Sequence, residues 1–316
     1  MGLSAACASL ATVSGAAEPA AATSVTVYAK AAIGDVAPVS TIVGPRTGLH
    51  FPSAVAVDTH GNRYVANRAA NSVTVYSNDA RGNAAPLRTI VGARSGLNLP
   101  TGLALDARGD VYVANRSGNA ITVYAPAANG NAVPIRKIQG SKTDLNEPTS
   151  IAVDAEQSLY VTNLADRSVT VFARGASGDV APVRIIRRKR AGLTAAFAIA
   201  VNQAGMVYVV NSDDKGISGV LVFGRRTSGN VAPIRVIAGS ATKLETPSGV
   251  AVDPSGAIFV SDHGGSSSAG AVRVYAKDAN GNVAPIYSIA GSATRLRPYG
   301  LTIDRTGEID VVNQTD

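Results

Sequence analysis

Apolar residues recur along this chain in short alternating runs separated by turn residues, and the whole set of runs repeats with a long period. In residues 100–140, PTGLALDARGDVYVANRSGNAITVYAPAANGNAVPIRKIQG, four such runs follow one another. Residues 101–106 are small and apolar, as a crowded inner strand requires. Residues 110–115 and 120–124 alternate with β-branched side chains at period two, the mark of strands. Between the first two runs, Asp106-Ala107-Arg108-Gly109 is turn chemistry, since Asp accepts turn N–H groups and Gly adopts positive φ. Residues 134–140 form a fourth run. It opens on Pro134, which suits the start of an outer strand because proline cannot donate to a ladder.

This unit occurs six times. An aromatic residue closes the third run at Tyr28, Tyr76, Tyr124, Phe172, Phe223 and Tyr275. A turn that opens on Gly and closes on Pro follows each of them. The first run ends at Asp58, Asp106, Asp154, Asn202, Asp253 and Asp304, 48 residues apart up to Asn202 and 51 apart after it. Asn67, Asn115, Asn163, Asn211, Asp262 and Asn313 close the second run. Four antiparallel strands repeated at this pitch predict the blades of a propeller. The expected fold is all-β, a six-bladed β-propeller of four-stranded antiparallel blades over residues 23–316. The chain enters on the third and fourth strands of a unit, near residues 24–43, and leaves on the first and second, near 299–313. The two ends together make one whole blade, so N- and C-terminal strands share the blade that closes the ring.

The run P-x-G-(L/V)-A-(L/V)-D-x-x-G-x-(V/I)-Y-V-A-N, present at residues 100–115 and in variant form at 247–262, resembles the NHL repeat family. The resemblance covers the chain from about Ser24 onward and implies a six-bladed β-propeller. It departs from the commoner family form by carrying Asn where Asp often ends the second strand. That family and its six-bladed relatives include RNA- and protein-binding platforms, extracellular sensors, an amidating lyase, gluconolactonase-like metal enzymes and streptogramin lyase. A fold alone does not choose among them.

Composition narrows the picture only slightly. A length of 316 residues would suggest two domains at ~150 residues each, but the repeat argues for one ring. The single cysteine, Cys7, precedes the first strand, so no disulfide forms within the chain. No stretch is apolar enough for long enough to span a membrane as a helix. Residues 1–22 are Ala-rich, lack Lys and Arg and carry no repeat. They read either as a disordered tail or as the later part of an export or lipoprotein signal around Cys7. The favoured expectation is an extracytoplasmic protein, secreted or lipid-anchored.

Candidate chemistry is sparse. His50, His60 and His263 fall in different units, with His60 expected on the opposite face from the other two. The channel-lining runs carry Ser, Thr, Ala and Gly without an acid before their ends, so neither a metal nor another cofactor is expected. The six in-phase Asp and Asn positions read as local caps of turns and loops. Asp262 beside His263 invites an acid–base reading, but neighbours on an extended chain point apart. The net charge is +7, and every loop from a fourth to a first strand carries a cation: Arg46, Arg94, Lys142, Arg190, Lys243 and Arg295. The expectation is a positive ring on one face that attracts anions and weakens with salt. The departures cluster in the fourth and fifth units. There the chain carries Arg187-Arg188-Lys189-Arg190, then Phe197, an inserted Asp213-Asp214-Lys215, and a longer loop after Asp262 and His263. Phe51, Phe197 and Tyr299 are the aromatics expected at the channel mouth on this face. The expected function is a non-enzymatic, monomeric binding or scaffold module. It would recognise a protein or an anionic polymer, RNA or glycan, over the fourth and fifth units. The alternative is a propeller lyase or lactonase-like hydrolase acting at the channel mouth.

Overall fold

In the computed structural model, which describes residues 23–187, 191–212, 218–265 and 269–314, each repeat forms one four-stranded antiparallel sheet. The second blade shows the order from the channel outward: Pro100–Leu105, Val111–Asn115, Ala120–Tyr124 and Arg136–Ile138. The closing blade takes its two inner strands, Pro298–Ile303 and Ile309–Asn313, from the C-terminal end of the described chain. Its two outer strands, Ser24–Tyr28 and Ser40–Val43, come from the N-terminal end. Ser24 pairs with Asn313 and Val27 with Asp310 across that clasp.

The second and third strands of every blade are buried along their whole length, which is why both read as runs of Val, Ile, Tyr and Phe. The core lies between blades rather than within them. One cluster joins Tyr64, Val73 and Val75 of the first blade to Leu103, Val111 and Val113 of the second. Each fully buried aliphatic side chain there contributes about 1.5–3 kcal/mol. Four of the recurrent tyrosines also tie blades together. Tyr76 donates to the Thr47 carbonyl at 2.5 Å, Tyr124 to Ser95 at 2.5 Å and Tyr275 to Thr242 at 2.6 Å, while Tyr28 donates to Thr294. Burial pushes the Tyr76 and Tyr124 hydroxyls up to about 12, so they remain neutral donors.

The outer edges are managed as well. An unpaired strand edge templates aggregation, and here each outer strand receives a glycine from the next blade. Gly82 donates to the Thr41 carbonyl at 2.7 Å and accepts from Val43 at 2.9 Å. Its φ of 57° is the left-handed conformation that glycine adopts without strain. This is the physical role of the turn that opens on Gly and closes on Pro.

Two of the recurrent polar series serve the scaffold. Asp58 Oδ1 accepts from the His60 and Asn62 amides at 2.8 and 2.9 Å, and Asp106 repeats the pattern. Asn115 is fully buried, accepts from the Asn98 amide at 2.9 Å and donates to Thr122 Oγ1 at 2.9 Å. In the fifth blade Asp262 and Arg273 replace that Asn–Thr pair with a buried ion pair at 3.0 Å.

Candidate functional site

Every first strand carries a register irregularity one residue after its start, as between Pro100 and Gly102. A bulge re-aims the side chain of its unpaired residue. Around the ring these residues are Ser53, Thr101, Thr149, Phe197, Ser248 and Tyr299. The four hydroxyls point sideways and donate to the next blade: Ser53 to the Pro100 carbonyl at 2.9 Å, Thr101 to Pro148 at 2.9 Å, Thr149 to Ala196 at 3.1 Å and Ser248 to Pro298 at 3.1 Å. At the other two positions an aromatic ring stands instead. Phe197 and Tyr299 meet edge to face with centroids 5.5 Å apart. Gln314 supplies the bond Tyr299 cannot make, donating to the Pro52 carbonyl at 2.8 Å.

Two further positions per blade reach this mouth: the residue before the first strand and the residue after the recurrent Asn. Phe51, Leu99 and Glu147 hold φ of 50°, 52° and 50°. Each carbonyl accepts an N–H at 3.1 Å from the residue after the recurrent Asn of the same blade, Arg68, Arg116 and Leu164 in turn. The left-handed backbone, normally avoided by such residues, is thus fixed by hydrogen bonding. Arg116 places NH2 2.7 Å from Glu147 Oε2. At the equivalent place beside Arg68 the chain has Leu99, and Arg68 turns to rings instead. Its guanidinium lies 5.9 Å from the Phe51 centroid and 5.6 Å from that of Tyr299. Such contacts contribute about 0.5–2 kcal/mol each. Burial pushes the Tyr299 hydroxyl up, against the opposing pull of Arg68 and Arg116.

Below this rim the channel holds a cavity of about 300 Å³, with Arg116, Phe197 and Tyr299 among its lining residues and the alanines and branched aliphatics of the first strands along its walls. Among the described residues no three His, Cys, Asp or Glu side chains come together to hold a metal ion. The donor set of a metal-dependent propeller hydrolase is therefore not assembled by them.

The aromatics expected at the mouth, Phe51, Phe197 and Tyr299, are brought together there. The cations of the outer-to-inner loops are distributed differently. Arg46, Arg94, Lys142, Lys243 and Arg295 are exposed or partly so, and none lines the cavity. The amides of Arg46, Arg94 and Lys142 bond to Asn83, Asn131 and Asp179 of the adjoining outer turns at 2.7, 2.8 and 2.7 Å, which holds these loops toward the outer strands. Arg187 pairs with Asp144 at 3.2 Å on the surface. Arg188, Lys189, Arg190, Asp213, Asp214 and Lys215 lie outside the described residues. Asp262 is fully buried, bonded to Arg273 and to the Thr246 amide at 2.8 Å, so its carboxylate is committed to the scaffold. His263 Nδ1 is buried without a partner among the described residues. Arg68, Arg116 and Glu147 escape a reading of the repeat because they hold single variable positions. The signal was that variability, set directly beside the recurrent Asn and Pro.

Residues 15–162 match the family model described as the SMP-30/gluconolactonase/LRE-like region. No curated protein matches the chain significantly. Among solved structures, hydrazine synthase of Kuenenia stuttgartiensis is similar at 16% identity and a TM-score of 0.60, covering 84% of this chain and 74% of that one. A streptogramin B lyase is similar at 11% identity and a TM-score of 0.54, covering 92% and 98%. A catalytically inactive virginiamycin B lyase from Staphylococcus aureus, solved with quinupristin, gives 11%, 0.54, 90% and 95%. Identities this low show the fold alone. The family match and the six four-stranded sheets together make this chain a six-bladed propeller with an SMP-30/gluconolactonase-like region in its first half.

Proposed function

We propose that the chain acts on a small molecule at its channel mouth, as a lactonase-like hydrolase or a lyase that opens a ring ester. The observation that carries the reading is the site's form. Arg116, Phe197 and Tyr299 line a cavity of about 300 Å³, and Arg68 packs over the rings of Tyr299 and Phe51 beside it, so that four blades contribute to one place. That volume is at the small end of ligand pockets. A platform for a long polyanion calls instead for cations spread along a groove with stacking rings beside them, and the described loop cations do not line this cavity. The gluconolactonase-like family match and the lyase propellers among the structural neighbours favour turnover over passive binding. The NHL resemblance belongs to this proposal as a reading of the blade sequence. An extracytoplasmic location belongs to it too, motivated by the Ala-rich residues 1–22.

The test is to incubate the protein with simple γ- and δ-lactones and with a cyclic depsipeptide and to follow products by mass. Hydrolysis adds one water, whereas elimination opens the ring at unchanged mass. Ring opening that falls at least about tenfold in Tyr299→Ala, a loss of the size expected for one transition-state contact, supports the site. Failure of every substrate, or equal rates in the variant, rejects it. Binding without turnover is the second reading, favoured by the lack of a convergent acid and base cluster among the described residues.

A further inference from the structure

We infer that the mouth is a carboxylate-binding site, built by Arg68, for a small acid whose apolar body enters the channel. The inference deepens the proposed function, since ring-ester opening by either route releases one carboxylate.

Comparison between blades carries the argument. Arg68 and Arg116 occupy the same position in successive blades. Arg116 is neutralised by Glu147 at 2.7 Å, with only 29% of its side chain exposed. Arg68 is also partly buried, but its matching neighbour is Leu99, and no carboxylate lies within ion-pair distance among the described residues. A partly buried guanidinium without a counter-ion gains a charge-assisted hydrogen-bonded pair when a ligand supplies an anion. The rings of Phe51 and Tyr299 lie against the guanidinium at 5.9 and 5.6 Å. The N–H edge of a guanidinium matches a planar carboxylate with two parallel hydrogen bonds.

The ligand's other end follows from the channel. The hydroxyls of Ser53, Thr101, Thr149 and Ser248 are already donated to neighbouring carbonyls. The remaining wall is largely Ala, Val, Leu and Ile, with the edges of Phe197 and Tyr299 at its top. These side chains accept an apolar chain or ring. The chemistry is an aryl or alkyl carboxylate.

The experiment titrates the full chain with 3-phenylpropanoate and with the neutral isostere 3-phenylpropan-1-ol by calorimetry, at low and high salt. It is repeated on Arg68→Gln, Arg68→Lys and the exposed control Arg81→Gln. The acid is expected to bind the native protein about tenfold or more tighter than the alcohol, the discrimination of one charge-assisted hydrogen-bonded pair. That preference should be lost in Arg68→Gln, partly restored in Arg68→Lys and kept in Arg81→Gln. Equal affinity for acid and alcohol in the native protein overturns the inference and needs no variant to fold. Acid binding that survives in Arg68→Gln overturns it as well. Acid binding as expected with no lactone opened leaves the carboxylate site standing and removes the turnover reading. Neutral lactone opened equally well by native protein and Arg68→Gln, without acid preference, does the reverse.

Discussion

At the seam that closes the ring, the chain departs from its own repeat in two residues that meet. Between other neighbouring blades an aromatic at the second position of one second strand packs against an aliphatic at the first position of the next: Tyr64 with Val111, Tyr112 with Leu159, Tyr160 with Val207, Tyr208 with Ile258 and Phe259 with Ile309. Between the sixth and first blades the same places hold Asp310 and Arg63, fully buried and 4% exposed, with Nε 2.5 Å from Oδ1. Asp310 Oδ2 has no hydrogen-bond partner among the described residues. Burial pushes the Asp310 carboxyl up to about 6, outweighing the pull of Arg63. An acid whose folded pKa lies above its unfolded value favours folding when protonated. Its contribution is full below about 4 and is lost as pH rises through about 6, a span of about 3 kcal/mol. The prediction is that Arg63→Val with Asp310→Tyr together, restoring the pattern of the other seams, stabilises the protein at pH 7 by about 1–4 kcal/mol. Arg63→Val alone should cost about 3–5 kcal/mol, because it strands a buried carboxylate. The assay is urea unfolding followed by far-UV circular dichroism from pH 4.5 to 7.5. The difference between native protein and double variant should shrink toward the acid end. A double variant less stable than the native protein at pH 7, or a difference that does not change with pH, would refute the reasoning.

Two further predictions use the repeat as its own control. Phe172 is buried where four other blades have Tyr, and the Thr143 carbonyl occupies the place of the acceptors at Thr47 and Ser95. Phe172→Tyr should therefore stabilise by about 0.5–1.5 kcal/mol in the same urea assay, and destabilisation would show that this interface has no room for the hydroxyl. Gly102 stands where a Cβ would lie 2.7 Å from the Ser150 backbone. Gly102→Ala should cost about 1–3 kcal/mol and lower the melting temperature, and an unchanged melt would show that the inner strands are not in rigid contact.

Much of the architecture could be read without coordinates because a propeller blade is a local object. Its strand lengths, turns and alternation all lie within about 50 residues, and six copies average away the ambiguity of any one. The shared closing blade was legible too, since each terminus carries the half that the other lacks. The local tasks of Asp106 and Asn115 followed from their place at turns and strand ends. The Asp262–Arg273 pair was within reach as a joint departure from Asn and Thr, since both residues lie in the same hairpin. His263 and the loop cations were visible, but their distance from the cavity was not.

The chain alone thus determined the blade, the number of blades and the face on which the variable loops lie, because these depend on periodicity and turn chemistry. Only tertiary closure decided what those loops build. Arg68, Phe197 and Tyr299 lie far apart in sequence, and no local rule relates them. They meet because a six-membered ring brings the bulged residue of every first strand to one mouth, as it brings Arg63 to Asp310. Contact across a closed ring is a property of its radius and packing, and those come from the interblade cores rather than from any one repeat.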